Sequence, residues 1–205
     1  TDPLSRQTNI EYSSRSWLSK RTDPDPDGAG PLTSPVTQWA YNAAGQTTSI
    51  TDPLSRVTSE VYDNDGRQTS VTLPDPDGAG PLTAPVISTG YDNVGRVLTQ
   101  TDPLGNVTSF VYDSRSRLTR RTDPDPDGAG PLTSPITQWA FDAARQLTST
   151  TDPLNRITSF GYDNLGRRQQ ITQPDPDGAG PLTSPVATFA FDAVGNVTSQ
   201  TDPLG

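Results

Sequence analysis

Tyr91-Asp92-Asn93-Val94-Gly95-Arg96, followed shortly by Thr101-Asp102-Pro103-Leu104-Gly105, is the stretch on which the fold turns. An aspartate at the start of a turn accepts hydrogen bonds from the amides that follow it. Glycine in the last turn place takes positive φ at little steric cost. β-branched and aromatic residues on either side suit strands. Together these features spell a hairpin built on a type I turn with a glycine bulge.

The unit recurs eight times, marked by Tyr12, Tyr41, Tyr62, Tyr91, Tyr112, Phe141, Tyr162 and Phe191, alternately 29 and 21 residues apart. Thr-Asp-Pro-Leu begins at 1, 51, 101, 151 and 201, which sets a period of 50. The whole chain, 1–205, therefore reads as a single repeat array and a piece of a longer chain. Its periods are 1–50, 51–100, 101–150 and 151–200, and 201–205 starts the next. Each longer half-period carries an insert, Pro-Asp-Pro-Asp-Gly-Ala-Gly-Pro-Leu-Thr, beginning at 24, 74, 124 and 174.

Composition alone leans toward disorder, with 30% hydrophobic residues and a net charge of -9. A strict register with aromatics at fixed places argues instead for small units that bury surface by stacking on neighbours. Cysteine and histidine are absent, which removes disulfides, thiol chemistry, the usual general base and the commonest metal ligand. With Lys20 the only lysine and no basic stripe, a nucleic-acid partner is not expected. No apolar run approaches the roughly 18 residues of a membrane-spanning helix.

Within the period 101–150 the residue pattern predicts strands over 106–112, 117–122, 136–141 and 146–151, with turns at 102–105, 113–116 and 142–145. No window supports a helix. The glycine slot is filled by Gly45, Gly66, Gly95, Gly166 and Gly195, but by Ser16, Ser116 and Arg145 elsewhere. Either those three turns relax, or neighbouring units hold them at a cost of about 1 kcal/mol. Aromatic residues two apart, such as Trp39 with Tyr41 and Trp139 with Phe141, share a strand face. The expectation is a stripe of stacked rings packed as a core, with a sugar-binding platform as the other reading.

Tyr-Asp-x-x-Gly-Arg with a following Asp-Pro-Leu-Gly and Val-Thr, as in Tyr91 to Thr108, resembles the YD repeat of Rhs proteins, the Tc-toxin C component and teneurins. The resemblance covers essentially the whole chain. It implies an all-β fold of tandem hairpins coiled into an elongated spiral, in secreted proteins or on bacterial surfaces. In several relatives such a spiral closes into a shell around a toxin domain. The Pro/Asp/Gly insert is not part of the common unit.

Two constellations could bind something. Asp23, Asp25 and Asp27 before Gly28, repeated as Asp123, Asp125 and Asp127 before Gly128, place carboxylates as in the opening of a calcium loop. Ser34 and Ser134 stand where a bidentate glutamate belongs, and Leu73 and Gln173 replace the first aspartate in the other periods. A solvated acidic turn and a loop-bracing calcium site both stand as readings. Asn106 and Asn196 fit the N-glycosylation pattern, and Thr33 and Ser34 lie beside proline as O-linked acceptors do. Glu11 and Glu60 are the only glutamates and the remaining acids repeat, so no unique catalytic pocket, and no enzyme, is expected.

These readings converge on an extracellular structural protein, a filament or stalk that associates with itself or continues along the same chain, with glycan on its loops. The alternatives are a wall segment of an Rhs-type toxin-encapsulating shell and a calcium-dependent adhesin or carbohydrate-binding surface module.

Overall fold

The computed structural model describes residues 7–28, 30–78, 80–128, 130–178 and 180–202. Residues 1–6, Ala29 and its equivalents, and the final Pro203-Leu204-Gly205 lie outside them. The chain divides into two units, Thr1–Asn106 and Val107–Gly205.

In the first unit eight strands follow one another: β1 (Asn9–Tyr12), β2 (Leu18–Thr22), β3 (Val36–Tyr41), β4 (Thr47–Thr51), β5 (Val57–Tyr62), β6 (Gln68–Thr72), β7 (Val86–Tyr91) and β8 (Val97–Thr101). Each pairs antiparallel with the next. The second unit repeats the order with β9 (Val107–Tyr112), β10 (Leu118–Thr122), β11 (Ile136–Phe141), β12 (Leu147–Thr151), β13 (Ile157–Tyr162), β14 (Arg168–Thr172), β15 (Val186–Phe191) and β16 (Val197–Thr201). The described residues contain no helix. The fold is all-β, a succession of antiparallel hairpins.

The strands predicted for 106–112, 117–122 and 146–151 each begin one residue later, because Asn106, Arg117 and Gln146 belong to the turns. Every hairpin after an aromatic carries the expected bulge: Gly90 faces Thr99, and the ladder slips before Tyr91 meets Val97. The insert closes through its main chain, with Asp23 N–H donating to Pro35 O at 2.8 Å and Leu73, Asp123 and Gln173 doing the same.

Two expectations need correcting. The aromatics do not form a core: among the described residues no side chain is fully buried. Within each unit a strand touches only its neighbours in sequence, so no second layer covers the aromatic face. Trp39, Tyr41, Trp139, Phe141, Phe160 and Phe189 are half-buried, while Ala40, Ala140 and Ala190 between them are exposed. Nor do the strand aromatics stack on one another; the one ring pair among the described residues is Trp17 with Tyr41. The aromatic pairs lie on alternate strands, roughly 9.6 Å apart at about 4.8 Å per strand, beyond ring-contact range. What fills the interval is a side chain from the turn before the intervening strand.

Candidate functional site

That turn is built around its aspartate. In Asp63-Asn64-Asp65-Gly66-Arg67 one carboxylate oxygen accepts the amides of Asp65 and Arg67, both at 2.9 Å, and the other accepts Arg67 Nε at 2.7 Å. Gly66 N–H closes the turn on Asp63 O at 3.0 Å. The Arg67 amide, then its guanidinium, holds the Asp63 carboxyl below the ordinary carboxylate range. Asp113 and Asp163 are lowered by the same groups from Arg117 and Arg167. At Asp92 desolvation is the largest single influence and opposes the shift, but the Arg96 amide and guanidinium together outweigh it.

With its Nε fixed to its own turn, the arginine reaches forward. Arg67 Nη1 donates to Asp92 O at 3.0 Å, and its guanidinium lies 5.0 Å from the centre of the Tyr91 ring. Tyr91 answers with a hydroxyl donated to Gln68 O at 3.0 Å. Arg167 repeats the clamp on Asp192 O at 2.8 Å and on Phe191 at 4.7 Å. Arg117 does so on Asp142 O at 3.4 Å and Phe141 at 4.4 Å. The hydroxyl return recurs at Tyr41 and Tyr162, to Leu18 O at 2.8 Å and Leu147 O at 2.9 Å, whereas Tyr62 donates to the Glu60 carboxylate. In the short half-period Gln46 takes over, its amide donating to Gly66 O at 2.7 Å. Arg67, Arg117, Arg167 and Gln46 thus latch their units to the following ones by side chain to main chain, in addition to the strand ladder.

Sequence reasoning missed the arginines as latches. The signal was present: Asp-x-x-x-Arg recurs at 52–56, 63–67, 92–96, 113–117, 152–156 and 163–167. The Asp-Pro-Leu turns, read as type I turns, also share the positive-φ slot expected only of the Tyr-Asp turns. Gly105 has φ +84°, and Ser55 and Asn155 hold φ of 62° and 60° in its place. The non-glycine turns do not relax: Ser16, Ser116 and Arg145 keep φ of 62°, 63° and 73°.

The residues singled out for ligands fall into structural places. Asp23 pairs with Arg21 at 2.7 Å and Asp123 with Arg121 at 2.5 Å. Where Leu73 and Gln173 replace the aspartate, Val71 and Ile171 replace the arginine, so the two positions change together. Asp25 accepts the Asp27 amide, and Asp27 accepts the Leu32 amide, each at 3.2 Å; Asp125 and Asp127 repeat both bonds. A Cβ at Gly30 would stand 1.9 Å from the Asp27 carboxylate, which explains glycine there in every insert. Among the described residues no three carboxylates converge on a point where a cation could sit. Asn106 and Asn196 occupy the arginine place of their turns, donating to Asp102 at 2.8 Å and Asp192 at 2.9 Å. Those side-chain bonds lead the lowering of the Asp102 and Asp192 carboxyls. Both asparagines and Thr33 are exposed, and Ser34 is half-buried.

The RHS Repeat family matches residues 41–79, 91–129 and 141–179, more than half of the chain. No curated protein matches it in sequence. Among solved structures, the crystal structure of TcdB2-TccC3 without its hypervariable C-terminal region superposes with a TM-score of 0.61 at 16% identity. That match covers 96% of this chain and 11% of the other. The crystal structure of TcdB2-TccC3 gives a TM-score of 0.60 at 17% identity, over 96% and 12%. At such identity the likeness is one of fold, and the chain spans about a ninth of the length of those it matches.

Proposed function

The chain belongs to the RHS repeat family, and on that footing we propose that it builds an extracellular or bacterial-surface filament or stalk by repeating one latched hairpin. The observation that carries this reading is the forward clamp. Arg67 on Asp92 and Arg167 on Asp192 have the same partners, separation in sequence and geometry, two periods apart. A wall that must close has to vary its bend somewhere, whereas a thread is served by identical joints. The task is mechanical and spatial rather than catalytic, in keeping with the structural role of the repeat. Further repeats of the same chain, or another copy, would supply the partner. Glycan on Asn106, Asn196, Thr33 or Ser34 would keep the turns and inserts soluble.

The second reading is a wall segment of a toxin-encapsulating shell, favoured by the likeness in fold to TcdB2-TccC3. Electron microscopy of the native full-length protein separates the two. Threads of uniform width support the filament, and closed hollow particles overturn it in favour of the shell.

A further inference from the structure

Among the turns at 13–17, 63–67, 113–117 and 163–167, the forward-reaching arginine is replaced at one place. Position 17 is tryptophan, whereas the equivalent places hold Arg67, Arg117 and Arg167. Trp17 takes over the arginine's seat, its ring 5.4 Å from that of Tyr41 and tilted by 51°. Its own turn still reaches forward, but through Arg15, which donates to Ala43 O at 2.7 Å and lies 5.3 Å from the Trp17 ring. The exchange leaves a notch of about 360 Å³ lined by Trp17, Trp39, Tyr41, Ser14, Arg15 and Asn42, among others.

We propose that this notch binds a neutral pyranoside. Three half-buried rings give apolar faces of the size of a sugar's C–H face. The indole N–H groups of Trp17 and Trp39 make no hydrogen bond among the described residues, which leaves two donors for sugar hydroxyls. Neither is a buried unpaired atom, so both N–H groups are open to solvent and to a ligand. The volume lies within the range of small-molecule sites, which combine aromatic walls with a few polar groups. The lining offers hydroxyl, amide and indole groups and no carboxylate, and its one charged residue, Arg15, lies on Ala43 O and beside the Trp17 ring, so the polar complement suits the hydroxyls of a neutral sugar. The site belongs to the first period alone: Arg117 over Phe141 fills the corresponding place in the third.

The chain has three tryptophans, so the indole N–H signals of the intact protein in a nitrogen–proton correlation spectrum make a self-controlled test. Titration with cellotetraose and with maltotetraose should move the Trp17 and Trp39 signals in a saturable way with at least one of the two, and leave Trp139 in place. Trp17→Arg restores the residue of the other periods and should weaken the response of Trp39 at least tenfold while the strands persist. Equal movement of all three signals, no movement with either sugar, or undiminished binding by Trp17→Arg overturns the proposal.

Discussion

Arg67 donates to the main-chain oxygen of Asp92 at 3.0 Å, 25 residues downstream, while its Nε remains 2.7 Å from Asp63 in its own turn. One guanidinium therefore fixes a turn and ties it to the following unit. Arg56 pairs with Asp52 in the same way but is 59% exposed, against 26% for Arg67, and its hydrogen bonds stay within its own turn.

From this difference, Arg67→Ala should lower the melting temperature clearly more than Arg56→Ala. Arg67→Lys should resemble alanine more than wild type, because an ammonium cannot hold the fork and lie flat on Tyr91 at once. Thermal melts of the three variants followed by circular dichroism check this. Equal losses at 56 and 67 would show that the forward clamp adds nothing.

Tyr91→Phe removes only the hydroxyl that meets Gln68 O. Exposed to solvent on one side, that bond should be worth about 0.5–1.5 kcal/mol. Phe141 and Phe191 already live without it, so the fold should persist. Urea denaturation of the variant against wild type measures the loss.

Ser116→Gly and Arg145→Gly should each stabilise the chain by about 1 kcal/mol, since both residues sit at positive φ (63° and 73°). Gly66→Ala, at φ +80°, should cost a similar amount, about 1 kcal/mol. Denaturation midpoints of the three variants decide it, and opposite signs would mean that side-chain contacts outweigh backbone strain.

The turn aspartates set the acid limit. The carboxyls of Asp52, Asp63, Asp92, Asp102, Asp113, Asp152, Asp163 and Asp192 lie below the ordinary value of 3.8, at Asp63, Asp113 and Asp163 chiefly through the arginine amide. A group lowered in the folded state stabilises it fully above its unfolded pKa and loses that contribution as pH falls through the folded value. Stability should thus be level from neutrality down to about pH 4–5 and decline below, where the unfolded chain takes up protons first. Melting temperatures between pH 7 and 2 test this; Asp63→Asn should start lower and fall less steeply.

The insert offers a paired test. Asp123→Leu alone strands Arg121, whereas Arg121→Val with Asp123→Leu reproduces the Val71 and Leu73 pair of the second period. The double variant should melt within about 0.5 kcal/mol of wild type, as surface ion pairs contribute little. Measured with and without calcium, a calcium-dependent gain in wild type that the double variant lacks would instead make Asp123 a metal ligand.

The hairpins, their turns and the strand limits to within one residue follow from the chain itself, because they depend on contacts between residues close in sequence. Asp92 caps amides two and four residues on, and Gly95 needs only its own φ. Sequence likewise dictated that residues two apart share a face. What the aromatic face meets was a tertiary matter. Ring spacing is set by the strand lying between two aromatic strands, which no local pattern reports, so a guanidinium rather than another ring covers Tyr91. The role of Asp23 is different in kind: its partner Arg21 is only two residues away, but sequence offered Asp25 at the same spacing and Asp27 beyond it, and the structure places the carboxylate on Arg21.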